Sequence, residues 1–499
     1  MGTQIDWTAH FLALVPEISL VILIVAVLSY DRILPTGRRR RAGLLAAWGT
    51  FAILLLTVGV WLFLGHPDTA APLQSSLLWG GMIRNDLVTL VFRVIALIAA
   101  TITILISLDV GQLQRGEYFA LLLTATIGFS LMAASSDMIM LFLALETASI
   151  SLYVLAGFLT DKRRSVEAGM KYFIYGAFAS AVMLYGFSLM YGLTGSSNIY
   201  DIASVLRGVP IPVNANAVLL LAGMMIIVGF GFKISAVPFH FWTPDVYEGA
   251  PAPVTGFVST ASKAAGFAVV LRVISAGMMG APEAGNAWWS TLVAITVVTM
   301  TLGNVLAIFQ SNIKRMLAYS SIAQAGYALI GLVALTPDGG GAALFYLLMY
   351  VVTNIAAFGV IVLVGRETGS DEMRDFYGLS RRSPYLALAM LFALLSLGGI
   401  PPTAGFFGKF FIFKAAVDAD LWWLALIGVL NAFVGLYYYL TVVKYIYLYR
   451  SEDEAVRIPV SRAAQVALAL SVFGILYLGV FANPAFEWTR EAGQAFFPF

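Results

Sequence analysis

This sequence predicts an all-α, polytopic membrane protein of about fourteen transmembrane helices, on three observations. Hydrophobic residues make up 60% of the 499 and charged residues 11%, with mean hydropathy +0.88. A water-facing surface needs far more charge than that. The apolar residues come in runs of about 20, the length that crosses roughly 30 Å of hydrocarbon at about 1.5 Å per residue. The Lys and Arg outside those runs fall mostly on alternate loops.

Apolar runs separated by Gly, Pro or charge place the spans at about 11–30, 43–64, 86–108, 117–134, 137–158, 166–193, 215–240, 251–275, 288–309, 313–336, 341–365, 384–410, 421–448 and 461–483. The first run has no basic segment before it, contains Glu17 and is followed by arginines, so it reads as a span and not as a cleavable signal. Loops after odd-numbered spans hold 18 Lys and Arg, led by Arg38-Arg39-Arg40-Arg41, while the opposite side holds Arg84, Arg207, Lys414 and Arg490. Positive loops stay in the cytoplasm, so both termini are expected on the outer side. No transit peptide is seen, which favours the inner (plasma) membrane of a bacterium.

Spans 7 and 12 carry breaks. One runs from Gly229 to Pro238 and on to Pro244, Pro251 and Pro253; the other from Ser396 to Gly405. Pro removes a backbone donor, and broken backbone at membrane depth is tolerated only under protein or water. A pair of interrupted spans marks a transporter's working site. Counting outward gives two five-span repeats, about 117–275 and 288–448, which an odd span number makes inverted. Helices 1–3 (about 11–108) precede them and helix 14 (about 461–483) follows, all in a single membrane domain, 1–499. Lys233 and Lys409 are 176 residues apart, close to the repeat offset, and Lys263 and Lys444 are 181 apart.

Composition excludes much chemistry. There is no Cys, hence no disulfide, cysteine-ligated iron–sulfur cluster or thiolate zinc site. Three His (His10, His66 and His240) are too few for a histidine-ligated metal cluster. No strand-then-GxGxxG or Walker motif appears, and a net charge of +2 gives no sign of nucleic-acid binding. No cofactor is expected on this chain, so the driving chemistry must lie on other polypeptides.

The buried charges carry the functional signal. Seven of 29 Lys and Arg fall within spans: Arg93, Lys171, Lys233, Lys263, Arg272, Lys409 and Lys444. Glu146, about nine residues into span 5, is the deepest acid. Each such insertion costs at least about 2.5–3.5 kcal/mol, so these groups must face the bundle interior or water. Arg272, near the end of span 8, is expected to snorkel to the headgroups, and Lys444 and Arg93 to be structural. Lys171, one and a half turns into span 6, suits either use. Lys233, Lys263 and Lys409 are the candidate proton carriers, with Glu146 as their charge partner. Burial disfavours a charged lysine and a nearby carboxylate restores it, so a lysine can hold or release a proton where an arginine cannot. His240, after Pro238-Phe239, is either a relay or an interfacial residue beside Trp242. Tyr319, Ser320, Ser321, Gln324 and Tyr327 in span 10, with Thr353 and Asn354 in span 11, are expected mainly to bind helices together.

Three stretches carry a family resemblance: Gly231-Phe232-Lys233-Ile234-Ser235-Ala236-Val237-Pro238-Phe239-His240-Phe241-Trp242-Thr243-Pro244-Asp245-Val246-Tyr247-Glu248-Gly249-Ala250-Pro251; Asn312-Ile313-Lys314-Arg315-Met316-Leu317-Ala318-Tyr319-Ser320-Ser321; and Gly399-Ile400-Pro401-Pro402-Thr403-Ala404-Gly405-Phe406-Phe407-Gly408-Lys409-Phe410. Over essentially its whole length the chain resembles the antiporter-like subunits of respiratory complex I (NADH–quinone oxidoreductase), subunit N above its sisters. The resemblance implies a proton-translocating subunit with no redox centre of its own. It implies that Glu146 pairs with Lys233, that Lys171 is an additional span 6 lysine, that Lys263 is the central relay, and that Lys409, in preference to Lys414, passes protons to the outside. It also implies sister membrane subunits and lipid as partners, with NAD, flavin, iron–sulfur clusters and quinone on other subunits. Two further readings stand beside it. A sodium/proton antiporter subunit would need an oxygen-rich cation site, which central lysines oppose. A structural anchor would tolerate loss of the buried charges.

Overall fold

The computed structural model describes residues 7–35, 39–63, 77–208, 213–278, 281–451 and 457–497; Arg38 and His66 lie outside the described residues. The helices are α1 (Val15–Ile33), α2 (Arg40–Phe63), α3 (Leu87–Ser107), α4 (Gly116–Ala134), α5 (Met138–Ala156), α6 (Arg163–Thr194), α7 (Val213–Ile234), α8 (Trp242–Gly249), α9 (Ala252–Ser275), α10 (Pro282–Ile308), α11 (Ile313–Val333), α12 (Pro337–Thr368), α13 (Pro384–Gly398), α14 (Ala404–Asp418), α15 (Trp422–Leu448), α16 (Arg462–Val480) and α17 (Ala482–Gln494). The chain folds as a polytopic helical membrane protein, and twelve of its described helices are long and apolar enough to cross a membrane. Two expected spans are not among the twelve. Residues 11–30 fold as the end of a short helix (Trp7–Leu12), a turn and most of α1, and 384–410 as the half-helix α13, its break and the start of α14.

Both predicted breaks are present and built alike. α7 stops at Ile234, Ser235 takes φ 63°, and the Ala236 N–H reaches back to the Gly231 carbonyl at 2.8 Å. α13 stops at Gly398, Gly399 takes φ 83°, and the Ile400 N–H reaches back to the Leu395 carbonyl at 3.0 Å. These bonds satisfy carbonyls that an interrupted helix would orphan. A cis peptide follows each, at Val237–Pro238 and Pro401–Pro402. At Gly405 a Cβ would lie 1.6 Å from the Ser396 carbonyl, so only glycine lets α14 pack this closely on α13. Lys233 precedes its break and Lys409 follows its own, so the two lysines, near the repeat offset in sequence, stand on opposite sides of the two breaks.

Other features recur. Asp137 caps α5 and Asn312 caps α11, each through its side chain. Isolated bridges tie Asp137 to Asn198 and Asn312 to Glu372. α6 and α12 are each 32 residues long and end on a left-handed glycine, Gly195 or Gly369. The apolar windows of α9 and α12 are wholly buried. Peripheral helices leave large apolar side chains exposed, among them Phe178, Phe433 and Phe473. Water does not tolerate such a surface, but lipid or a neighbouring subunit does.

Candidate functional site

Three of the buried lysines, Lys233, Lys263 and Lys409, meet only neutral oxygen, whereas a fourth, Lys314, pairs with Asp371 at 3.0 Å. Lys233, at the last turn of α7, donates to Ser149 Oγ on α5 at 3.1 Å and lies 6.0 Å from the centre of the Phe129 ring. Lys263, on α9 directly after a π-helical stretch (Val258–Ser262), donates to the Ser321 carbonyl on α11 at 2.8 Å. Lys409, on α14, donates to the Leu397 and Gly398 carbonyls at 2.9 and 3.2 Å and stands 5.0 Å over the Tyr327 ring. Those carbonyls end α13, so the broken helix turns the negative end of its dipole onto the Lys409 cation. All three side chains are buried.

Polar side chains lie between two of these lysines. Ser321 beside Lys263 shares a 3.3 Å contact with the Tyr247 hydroxyl. Its neighbour Ser320 meets the Tyr439 hydroxyl at 2.5 Å. Gln324 donates to Tyr439 at 2.9 Å and to the Leu397 carbonyl at 3.3 Å, and accepts from the Tyr346 hydroxyl. Leu397 is the residue that holds Lys409. The residues expected to glue helices therefore lie between two proton-carrying candidates. Tyr247, Tyr346 and Tyr439 belong to this cluster and do not stand out in the sequence as its members. Their signal was modest: Tyr437-Tyr438-Tyr439 sits mid-span, where polar hydroxyls need a reason.

Glu146 is half-buried and accepts from Ser180 Oγ at 2.6 Å. It makes no ion pair with Lys233 and lies one turn of α5 from Ser149, to which Lys233 donates. Glu17, Asp137, Asp86 and Asp31 are all more buried than Glu146, because α5 turns its Glu146 face outward, beside exposed Leu143 and Ile150. His240 is buried beside Phe241, and its Nδ1 has no partner.

Lys171 lies elsewhere. It is about one-third exposed and pairs with Asp245 on α8 at 2.6 Å and with Glu167 at 2.9 Å. Arg315 bridges Asp245 and Glu248 at 3.0 and 2.9 Å. Burial raises the Asp245 carboxyl, but the bonds from Lys171 and Arg315 outweigh this and hold it below the ordinary carboxylate value. Next to this cluster is a cavity of about 540 Å³, lined by Asp109, Lys162, Glu248, Lys314, Arg366 and Asp371 among others. It opens at the end of the bundle that carries the positively charged loops, against the turn that leads into α9.

The arginines behave differently. Arg272 does not snorkel. It is 1% exposed and grips both Asp86 oxygens at 2.9 and 3.0 Å, with further bonds to Tyr200 and the Ala133 carbonyl. Arg84 joins the cluster through Asp86 at 3.1 Å and Tyr200 at 2.6 Å. Burial pushes the Asp86 carboxyl up, but Arg272, Arg84 and the Thr89 amide together hold it well below the ordinary carboxylate range. Arg93 pairs with Glu17 at 2.8 Å. A bidentate carboxylate offers Arg272 more than a distant headgroup, and sequence cannot show a partner 186 residues away. Lys444 is exposed and rests against the Tyr445 and Tyr449 rings.

Residues 135–435, which hold Lys171, Lys233, Lys263 and Lys409, match the NADH:quinone oxidoreductase/Mrp antiporter transmembrane family. The chain belongs to that family. A relative from Moorella thermoacetica, NADH-quinone oxidoreductase subunit N, is 40% identical over 494 residues, 98% of this chain and 99% of its own. A chain of respiratory complex I from Thermus thermophilus is 32% identical and superposes with a TM-score of 0.76 over 95% of this chain and 98% of its own. A chain of the Mrp complex from Dietzia shares the fold at TM-score 0.82 over 98% of both chains, at 20% identity. The fold is thus shared with a chain of each of the two complexes. Among the described residues no group of His, Cys, Asp and Glu is placed to hold a metal.

Proposed function

We propose that this chain is the subunit N of an NADH–quinone oxidoreductase and moves protons across the membrane, driven by redox chemistry on partner subunits. The observation that carries this reading is the set of three buried lysines held by neutral oxygens, with Ser320, Ser321, Tyr439 and Gln324 lying between Lys263 and Lys409. An ammonium fixed to a carboxylate keeps its proton; one held by hydroxyls and carbonyls gives it up at far lower cost. Protons enter from the cavity beside Lys171 and Asp245, load Lys233 and Lys263, cross the midplane, and leave from Lys409. Glu146 sets the charge state of Lys233 through space. His240 hands protons past the α7 break. Each proton moved against the membrane potential takes about 2.3 kcal/mol per 100 mV, which neighbouring subunits supply.

The architecture we propose has fourteen spans, counting α1 and the α13–α14 pair, arranged as two inverted five-helix units, 117–275 and 288–448. The recurring caps, bridges and breaks support it. Both termini lie on the outer side of a bacterial plasma membrane, supported by the loop charges. NAD, flavin, iron–sulfur clusters and quinone belong to other subunits.

The test is proton pumping in vesicles by the assembled complex carrying Lys233→Ala, with assembly checked on a native gel. Normal assembly with a sharp fall in pumping supports translocation. Normal assembly with normal pumping makes Lys233 a structural charge and removes the reading.

A further inference from the structure

A second binding feature lies on the lipid-facing side, away from the lysines. α2 and α16 both pack on α3 and leave between them a groove of about 860 Å³. Its walls are Leu44, Ala47, Trp48 and Phe51 on α2 and Val466 and Leu470 on α16; Thr101 and Leu105 of α3 form the floor. The Thr101 hydroxyl is turned to its own Leu97 carbonyl at 2.8 Å, so the floor presents carbon. Arg40 and Arg462, the first residues of α2 and α16, stand together at one end.

We propose that this groove binds one anionic phospholipid, its phosphate between Arg40 and Arg462 and an acyl chain along the groove. Charge complementarity is the first argument. Arg40 is 46% exposed and touches Asp109 at 3.6 Å, but Asp109 also accepts from Ser461 at 2.7 Å and lies 3.9 Å from Arg366, so one carboxylate serves several groups. Arg462 is exposed at the same mouth, and Arg39 and Arg41 flank Arg40. A phosphate presents oxygens that two guanidinium forks bind well. Depth is the second argument. From Arg40 to Phe51 is about 16 Å along α2, and from Arg462 to Leu470 about 12 Å along α16, at about 1.5 Å per residue. One leaflet contributes about half of the roughly 30 Å hydrocarbon layer. The charged mouth therefore sits at headgroup level when the apolar walls lie at acyl-chain depth, with Trp48 exposed on the wall.

A helix from a partner subunit is the competing occupant, and free phosphate the competing anion. The full-length chain, purified in mild detergent and supplied with phosphatidylglycerol, is examined by native mass spectrometry. One retained phosphatidylglycerol is expected. Arg40→Gln with Arg462→Gln weakens retention at least ten-fold, whereas Arg39→Gln with Arg41→Gln removes equal charge beside the groove and leaves it unchanged. Leu470→Trp, or Val466→Trp if the former misfolds, blocks the groove and lowers retention with both arginines intact. Equal weakening by the two arginine pairs means diffuse surface charge and overturns the site. Displacement by inorganic phosphate alone means a simple anion site and overturns it too. Absence of retained lipid in the wild-type chain leaves the groove to a partner subunit and overturns the proposal.

Discussion

Arg272 and Lys263 stand nine residues apart on one stretch of helix and are equally buried, at 1% and 2% exposure. Their surroundings differ in kind. Arg272 holds a carboxylate by two bonds, with a tyrosine and a carbonyl beside it. Lys263 holds one neutral carbonyl. The same contrast separates Arg93, locked to Glu17, from Lys233 and Lys409. Arg272 and Arg93, which cannot lose a proton, are given a permanent counter-charge; Lys233, Lys263 and Lys409, which can, are left with neutral partners, and Lys314, paired with Asp371, stands apart from them. Buried arginines thus fasten the bundle, here joining α3, α9, the Ile83–Arg84 strand and the short helix Ile199–Gly208. Lys233, Lys263 and Lys409 have no such lock, which is what the proposed proton transfer requires.

Substitutions that break this division are graded by size. The largest effect on folding is expected from Asp86→Ala, which leaves Arg272 and Arg84 without their carboxylate. Removing one partner of a buried pair costs about 3–5 kcal/mol, so folded protein recovered from membranes should fall steeply and the detergent-solubilised remainder should melt earlier. Acid gives the same side a milder test. Asp86 is held below the ordinary carboxylate range, so its contribution is fully present above that range and is lost as pH falls below it; melting temperature against pH should show the decline only there, and Asp86→Asn should flatten it.

The opposite pattern is expected for Lys263→Met. Stability should change by no more than about 1 kcal/mol, since an unpaired buried charge is replaced by an apolar chain of similar shape. Proton pumping in vesicles should fall at least ten-fold. Gln324→Leu removes the link between Tyr439 and the carbonyl that holds Lys409, and a several-fold loss of pumping with normal assembly is expected. Lys171→Gln should do least. Its ion pairs are about one-third exposed, and such pairs contribute at most about 1 kcal/mol, so melting should hardly move while pumping slows modestly.

Fold class, both helix breaks and the three central lysines were legible in the sequence because each is a local signal: apolar length, Gly and Pro at membrane depth, charge inside a span. What was not legible depends on distant partners. Arg272 seemed free to reach the headgroups until Asp86 appeared beside it. Glu146 counted as deep by its place in the span, but helix rotation decides burial, and its face turns outward. Lys233 and Lys409 are close to the repeat offset in sequence yet sit before and after their respective breaks. The partner of the span 10 hydroxyl Ser320 is equally hidden, since Tyr439 lies more than a hundred residues further on.

The most direct test of the division is Lys263→Arg in the assembled complex, with proton pumping in vesicles measured beside assembly on a native gel. Arginine keeps the charge and the ability to donate to the Ser321 carbonyl but does not release its proton. Full assembly with pumping abolished is the predicted result. Full assembly with wild-type pumping would show that Lys263 acts only as a fixed charge and would contradict the account.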